Sequence, residues 1–423
     1  MISLLLALSF FILLGVPIAV SLGIVSIGFI SLGSVPLTIV PLQLFSGLEN
    51  FVFLAMPMFM ITGEIMNRAG LAEDLIELAS SLVGFLRGGL AMVNIGASMV
   101  FAEISGSAVA DVAAQGSILI PQMVRKGYPV GFAAAITSSS ASIAIIIPPS
   151  LAFILYGAIA GVSVVKLFIA GIVPGIILGL MLALFSYVFA FRYGWTAEHK
   201  FMFKRVLKAL KRAVWSLSLP IIILGGILGG VFTPTEAAAV AVAVALFLGF
   251  AVFRSLKVTD IPDIILVSSK RTSIVLLMVA TSAVFGWYLA NEGIPQAIAS
   301  AVMAASNNKY IVMFLLNLML IALGMILHGS AGTVLTVPLA LPLVVQLGYD
   351  PVHFGVILAL NHAIGQQTPP VASVLMTASA VSGARVGEIM YYNKWFILCI
   401  FLVLQLVTYI PQLSLWLPNL MVD

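Results

Sequence analysis

One stretch of this chain occurs twice, and that recurrence constrains the fold more than any other feature. Gly106-Ser107-Ala108, Pro121, Gly127-Tyr128 and Pro148-Pro149 are matched by Gly329-Ser330-Ala331, Pro342, Gly348-Tyr349 and Pro369-Pro370. Pro121 to Gly127 is six positions, as is Pro342 to Gly348; Tyr128 to Pro148 is twenty, as is Tyr349 to Pro369. Only the step from triplet to proline differs, fifteen against thirteen. Upstream, Glu64…Ala69-Gly70-Leu71 loosely matches Asn291-Glu292-Gly293-Ile294. Two units of roughly 220 residues with matched breaks are the sequence mark of a membrane transporter built from internal repeats.

The environment follows from charge. Only 8% of the 423 residues are charged and 62% are hydrophobic, where a soluble domain carries about 25% charged residues. The apolar runs are long and do not alternate, which suits helices rather than a β-barrel. The expected fold is an all-α polytopic membrane protein. Each of its two repeats holds a re-entrant helical hairpin and a broken transmembrane helix. Cys399 is the only cysteine, so no intramolecular disulfide forms. The N-terminus lacks a basic leader and reads as a retained first helix.

Breaks and charge divide the chain. Residues 1–87 are expected to supply scaffold helices and a surface arm, the arm being amphipathic over 63–87. Residues 88–191 form the first transport half, with a hairpin meeting at Ser105-Gly106-Ser107 and a broken span at Pro148-Pro149. Residues 192–213 carry Arg192, Lys200, Lys204, Arg205, Lys208, Lys211 and Arg212, seven of the nineteen basic residues. The positive-inside rule puts this connector in the cytoplasm as an interfacial amphipathic helix; it is too short, and too closely flanked by spans, to be a nucleic-acid site. Residues 214–308 repeat the scaffold and arm, with spans at 215–232, 234–253 and 272–291 and a surface stretch at 258–271. Thr233-Pro234-Thr235-Glu236 reads as a capping box, although a buried glutamate there could instead hold a cation or proton. Residues 309–392 repeat the hairpin and broken span, and 393–423 end the chain in a last helix and an amphipathic tail.

Chemistry concentrates at the breaks. Unwound backbone at membrane depth is tolerated only inside protein or against a water-filled cavity. Its carbonyls and nearby hydroxyls suit a hard cation such as Na⁺, while half-helix N-termini suit an anion. One Na⁺ site per half is therefore expected: Ser105, Ser107, Ser138, Ser139, Ser140 and Pro148 in the first, and Ser330, Thr333, Gly365, Gln366, Gln367 and Thr368 in the second. Substrate is expected between them, near Ser107, Asp111, Ser150, Thr368 and Arg385. Small residues also pack membrane helices closely, so any single serine has a structural reading as well. Asp111 and Glu103 could charge a cation site or cap the hairpin. Arg385 could reach a carboxylate or mark the membrane interface. His328, His353 and His362 lack metal-ligand spacing, which leaves structural or cavity-lining roles.

Enzyme signatures are missing. There is no GxxxxGK[ST] loop, no HExxH and no Gly-x-Ser-x-Gly elbow. Tyr349-Asp350 matches half of an intramembrane aspartyl protease motif without its Gly-x-Gly-Asp partner.

Ser105-Gly106-Ser107-Ala108…Ala110-Asp111, Ile147-Pro148-Pro149-Ser150, Phe232-Thr233-Pro234-Thr235-Glu236-Ala237-Ala238-Ala239 and Thr368-Pro369-Pro370 together resemble the large membrane subunit of tripartite ATP-independent periplasmic (TRAP) transporters, along essentially the whole chain. The resemblance implies that the two repeats are inverted and arranged as an elevator-type scaffold plus transport domain. It implies a Na⁺-driven importer of organic acids in the bacterial or archaeal inner membrane, moving by an elevator mechanism. It also implies two protein partners: a small four-helix membrane subunit, expected here as a separate chain, and a periplasmic substrate-binding protein. Family substrates are C4-dicarboxylates, sialic acid, other sugar acids and some sulfonates. Three other readings remain: a stand-alone Na⁺/dicarboxylate symporter of the same superfamily, an ion channel, and an intramembrane protease.

Overall fold

The computed structural model describes residues 2–33, 35–70, 72–305 and 308–421, excepting the side chains at 2, 5, 13, 72, 102–105, 299 and 303–305. The described residues are helical throughout, and seven helices are long and apolar enough to cross a membrane, or eight with one bent pair counted as a span.

The first half begins with α1 (Ile2–Leu13) and α2 (Ile18–Leu32). Gly15, at positive φ, and Pro17, which starts α2, separate them. α3 (Ile39–Ser46) and α4 (Ala55–Arg68) form the bent pair, at 60° to one another. α5 (Ala72–Val83) is the arm. α6 (Gly89–Ser105) and α7 (Ala108–Arg125) make the first hairpin, and α8 (Val130–Ala141) and α9 (Leu151–Ala160) the first broken span. α10 (Val164–Tyr193) closes the half.

The second half follows with α11 (Phe203–Leu228), α12 (Pro234–Phe247), α13 (Ile261–Asn291) and α14 (Ile294–Ala305). The second hairpin is α15 (Lys309–Ile326) with α16 (Gly329–Gln346), and the second broken span is α17 (Pro351–Gly365) with α18 (Ser373–Ser382). α19 (Val386–Tyr409) and α20 (Gln412–Met421) end the described chain. The start of α12 has the expected capping box: the Glu236 N–H donates to Thr233 Oγ1 at 3.3 Å, and the Thr233 N–H donates to Glu236 Oε2 at 2.8 Å.

Two boundaries differ from the sequence reading. The connector helix and the span after it are one helix, α11; the surface stretch 258–271 and the span 272–291 are also one, α13, apart from a short turn at its start. A change from polar to apolar residues alters a helix's surroundings but does not interrupt its hydrogen bonds. Pro220, inside α11, is of the kind that membrane helices absorb. The basic start of α11 is docked on α5, where Arg205 Nη2 lies 3.1 Å from Glu77 Oε1 and Arg212 Nε lies 2.6 Å from Asp74 Oδ1. Ion pairs this exposed contribute about 0–1 kcal/mol each.

Contacts recur at matched positions in the two halves. Ser140 Oγ donates to Asn94 Oδ1 at 2.8 Å, and Asn361 Nδ2 donates to Asn317 Oδ1 at 2.9 Å. Tyr128 stacks near Phe132 at 6.1 Å and Tyr349 near His353 at 5.9 Å. The halves also interlock, with α9 packed on α16 and α18 packed on α7. Against this body lie α2, α4, α12 and α13, packed on one another. Among the described residues, two side-chain hydrogen bonds cross between these helices, with the turn before α4, and that body: Ser282 Oγ donates to the Val334 carbonyl at 2.8 Å, and Asn50 Nδ2 to the Ala158 carbonyl at 3.3 Å.

The paired asparagines are open to test. Asn94→Ala and Asn317→Ala each remove two buried side-chain hydrogen bonds, each worth about 0.5–1.5 kcal/mol. The thermal unfolding midpoint of the purified protein in detergent should fall for both and stay unchanged for Ser31→Ala, whose hydroxyl is exposed.

Candidate functional site

Both hairpin tips and both broken spans meet at one cavity of about 410 Å³. Its walls are Met60, Gly63, Glu64 and Asn67 of α4; Gly106 to Ala110 and Ala113 at the first tip; Ile145, Leu151 and Ala152 at the first break; Arg271, Ile274, Val275 and Met278 of α13; His328 to Ser330 at the second tip; and His362 and Gln366 at the end of α17. The N-termini of α7 and α16 begin at these tips, so unpaired backbone N–H groups gather here, as an anion requires.

Each tip is set against the break of its own half. Gly106 has φ +56, and a Cβ there would stand 3.0 Å from the Pro149 carbonyl oxygen. A Cβ on Gly329 would stand 2.8 Å from Gln366 Nε2. Glycine permits both approaches, and at Gly106 the left-handed backbone as well.

The candidate residues of the first half occupy different depths. Ser107 is the N-cap of α7 on the cavity wall, and Asp111 is buried one turn further on. The side chains of Glu103 and Ser105 lie outside the described residues. Ser138, Ser139, Ser140 and Pro148 are buried behind the cavity. Ser140 joins Asn94 and Ser98, the latter at 2.9 Å. Ser139 Oγ donates to Asn393 Oδ1 at 2.7 Å. Ser150 Oγ donates to the Ile145 carbonyl at 2.7 Å, across the break.

In the second half, Ser330 and Gln366 line the cavity. Thr333 Oγ1 donates to the Gly329 carbonyl at 2.9 Å and lies 3.2 Å from His362 Nε2. Gly365 ends α17, and a Cβ there would stand 2.4 Å from the Gly324 backbone of α15. Thr368 Oγ1 donates to the Ile364 carbonyl at 2.9 Å. Gln367 crosses to the other half: its Nε2 donates to the Ser138 carbonyl and, at 2.9 Å, to Ser142 Oγ. Asn393 Nδ2 donates to Gln367 Oε1 at 3.3 Å. Ser138, Ser139 and Gln367, assigned to two sites by sequence, thus share one knot of hydrogen bonds. Arg385 is exposed at the N-cap of α19, away from the cavity wall.

Sequence reasoning missed Glu64 and Arg271, which it placed on amphipathic or surface stretches, and the asparagines 94, 317, 361 and 393. A polar residue in an apolar run was the only signal for these asparagines, and it names no partner. His328 and His362 do line the cavity. His362 is buried, and its Nδ1 has no hydrogen-bond partner among the described residues.

An all-helical, multi-pass body with paired breaks around one cavity is the architecture of a membrane transporter. The family model described as "Tripartite ATP-independent periplasmic transporter, DctM component" matches residues 5–413, and the chain belongs to that family. The C4-dicarboxylate TRAP transporter large permease protein DctM of Pseudomonas aeruginosa is 39% identical over 377 residues, 89% of this chain and 88% of that one. The sialic acid TRAP transporter large permease protein SiaM of Vibrio cholerae is 38% identical over 383 residues, again 89% and 88%. The isethionate TRAP transporter permease protein DctMQ of Oleidesulfovibrio alaskensis is 37% identical over 410 residues; the match takes in 96% of this chain but 65% of that protein's length. Among solved structures, the Alcanivorax borkumensis YdaH transporter shares the fold, with TM-score 0.57 and 16% identity over 86% of each chain.

The second tip gives a direct prediction. A methyl at position 332 would stand 2.5 Å from His362 Cε1, so Gly332→Ala must push the imidazole away from Thr333. Overpacking of this kind costs about 1–3 kcal/mol, read as a lower unfolding midpoint. Gly28→Ala, with nothing within 4 Å of the added Cβ, should leave the midpoint unchanged or raise it.

Proposed function

We propose that this chain is the large membrane subunit of a Na⁺-coupled TRAP importer of an organic anion. It works with a small membrane subunit and receives substrate from a periplasmic binding protein at the bacterial inner membrane. The observation that carries this reading is the single cavity onto which both hairpin tips and both broken spans open. Relatives named for C4-dicarboxylate, sialic acid and isethionate support an organic anion as cargo, and the last name, DctMQ, supports a second membrane component.

Na⁺ is carried as co-substrate, one ion near each break. Its oxygens come from Ser105, Ser107, Ser138, Ser139, Ser140 and Pro148 in the first half. In the second they come from Ser330, Thr333, Gly365, Gln366, Gln367 and Thr368. A hydroxyl that donates to a neighbour still has lone pairs for a cation. Residues 88–191 and 309–392 form the mobile body of an elevator built from two inverted repeats; 1–87 and 214–308 form its scaffold.

The test is uptake into proteoliposomes holding this chain with its small subunit, with succinate, isethionate and N-acetylneuraminate offered in turn. The binding protein is present or omitted, with and without an inward Na⁺ gradient. Uptake of one anion that needs both is expected; uptake that ignores Na⁺ would overturn the coupling, and uptake unaffected by the binding protein would overturn the tripartite assembly. Ser107→Ala and Thr333→Val are expected to raise the Na⁺ concentration for half-maximal uptake by about tenfold, as loss of one ion-bound oxygen worth about 1.4 kcal/mol requires. Unchanged Na⁺ titrations would remove these two side chains from the ion sites.

A further inference from the structure

Four charged side chains form an alternating row from the exposed Asp263 to the cavity. Asp263 bonds Arg68 Nη2. Arg68 Nε donates to Glu64 Oε1 at 3.3 Å. Arg271 Nη1 then donates to Glu64 Oε2 at 3.4 Å, and both Glu64 and Arg271 line the cavity that also holds Ser107 and Ser330.

The two ends of the row differ. Glu64 is held from both sides, and its side chain is 14% exposed. Arg271 is held by one long contact, and its side chain is 57% exposed. Arg68 has Asp263 as well as Glu64, so its charge stays matched if Arg271 turns away, and Glu64 keeps Arg68. Arg271 is therefore the member of the row that can change partner without stranding a buried charge. A guanidinium offers five N–H donors in a planar fork. A bidentate pair with a carboxylate or sulfonate is shorter and stronger than a single long contact.

We infer that Arg271 is the anion-binding side chain of this cavity and that Glu64 is its displaceable counter-ion. The entering oxyanion takes the fork of Arg271, and Glu64 falls back on Arg68. On release Glu64 recaptures Arg271, so the site does not hold its cargo with an unopposed charge. This deepens the transporter reading above and rests on it.

Two measurements on the full chain with its small subunit test the assignment. The first needs no substrate. Cys399 is fully buried, so a cysteine introduced by Ala113→Cys, beside Arg271 on the cavity wall, is the thiol that water-borne reagents reach. Its rates are compared for anionic 2-sulfonatoethyl and cationic trimethylammonioethyl methanethiosulfonate. Removing one unit of charge a few ångströms away should change the ratio of the two rates by about tenfold. Arg271→Gln should lower the anionic-to-cationic ratio and Glu64→Gln should raise it. Asp263→Asn, at the far end of the row, should leave it unchanged. A ratio indifferent to Arg271→Gln overturns the inference.

The second measurement is uptake of the anion found in the screen above. Arg271→Gln should raise KM at least about tenfold with a smaller effect on kcat, Arg271→Lys should recover part of that loss, and Glu64→Gln should lower KM. If the row merely staples α4 to α13, both neutralisations lower the folded yield and move KM the same way, which also overturns the inference. If the wild-type complex takes up no anion, the transporter reading fails, while the labelling ratios still decide the role of Arg271.

Discussion

A helix broken inside a bilayer leaves N–H and C=O groups that lipid cannot satisfy, and the centre of this molecule is arranged around that demand. Part of it is met within each half, as where the Val374 N–H donates to the Gln366 carbonyl at 3.2 Å, and part is met across the halves. Gln367, at the second break, donates to the Ser138 carbonyl and the Ser142 hydroxyl of the first broken span. Asn393 on α19 holds Gln367 from the other side and accepts from Ser139. Ser150 closes the first break on itself through the Ile145 carbonyl. The two breaks thus share a centre to which both halves contribute.

Outside that centre, the matched contacts show how a duplicated sequence becomes one body. The Asn94–Ser140 and Asn317–Asn361 pairs each fix a hairpin arm to a broken span of the same half. The packing of α9 on α16 and of α18 on α7 fixes each half to the other. Since hydrophobic attraction between helices is absent in lipid, hydrogen bonds and close contact carry the specificity. What remains at the middle is a cavity walled by two tips, two breaks and the helices α4 and α13.

The breaks were legible in the sequence because proline and glycine act on the backbone itself. Pro148-Pro149 and Pro369-Pro370 end helices wherever they stand, and Thr233 with Glu236 starts one. The family was legible for the same reason, since its motifs lie at these points. Partnership was not legible. Ser138 and Gln367 were assigned to separate sites, yet 229 positions apart in the chain they are bonded. Arg271 gave no hint of facing a cavity, because beside Lys270 at the end of a polar stretch it reads as an interfacial anchor. The boundaries of α11 and α13 were misplaced because polarity was taken for a stop signal, which it is not.

The join between the body of hairpins and broken spans and the helices α2, α4, α12 and α13 has a mechanical meaning. Among the described residues, two side-chain hydrogen bonds cross it, from Ser282 and from Asn50. Each ends on a main-chain carbonyl, a group that recurs at every residue. Neither bond pairs two side chains, so the side-chain hydrogen bonding across the join is sparse and rests on one donor at each point.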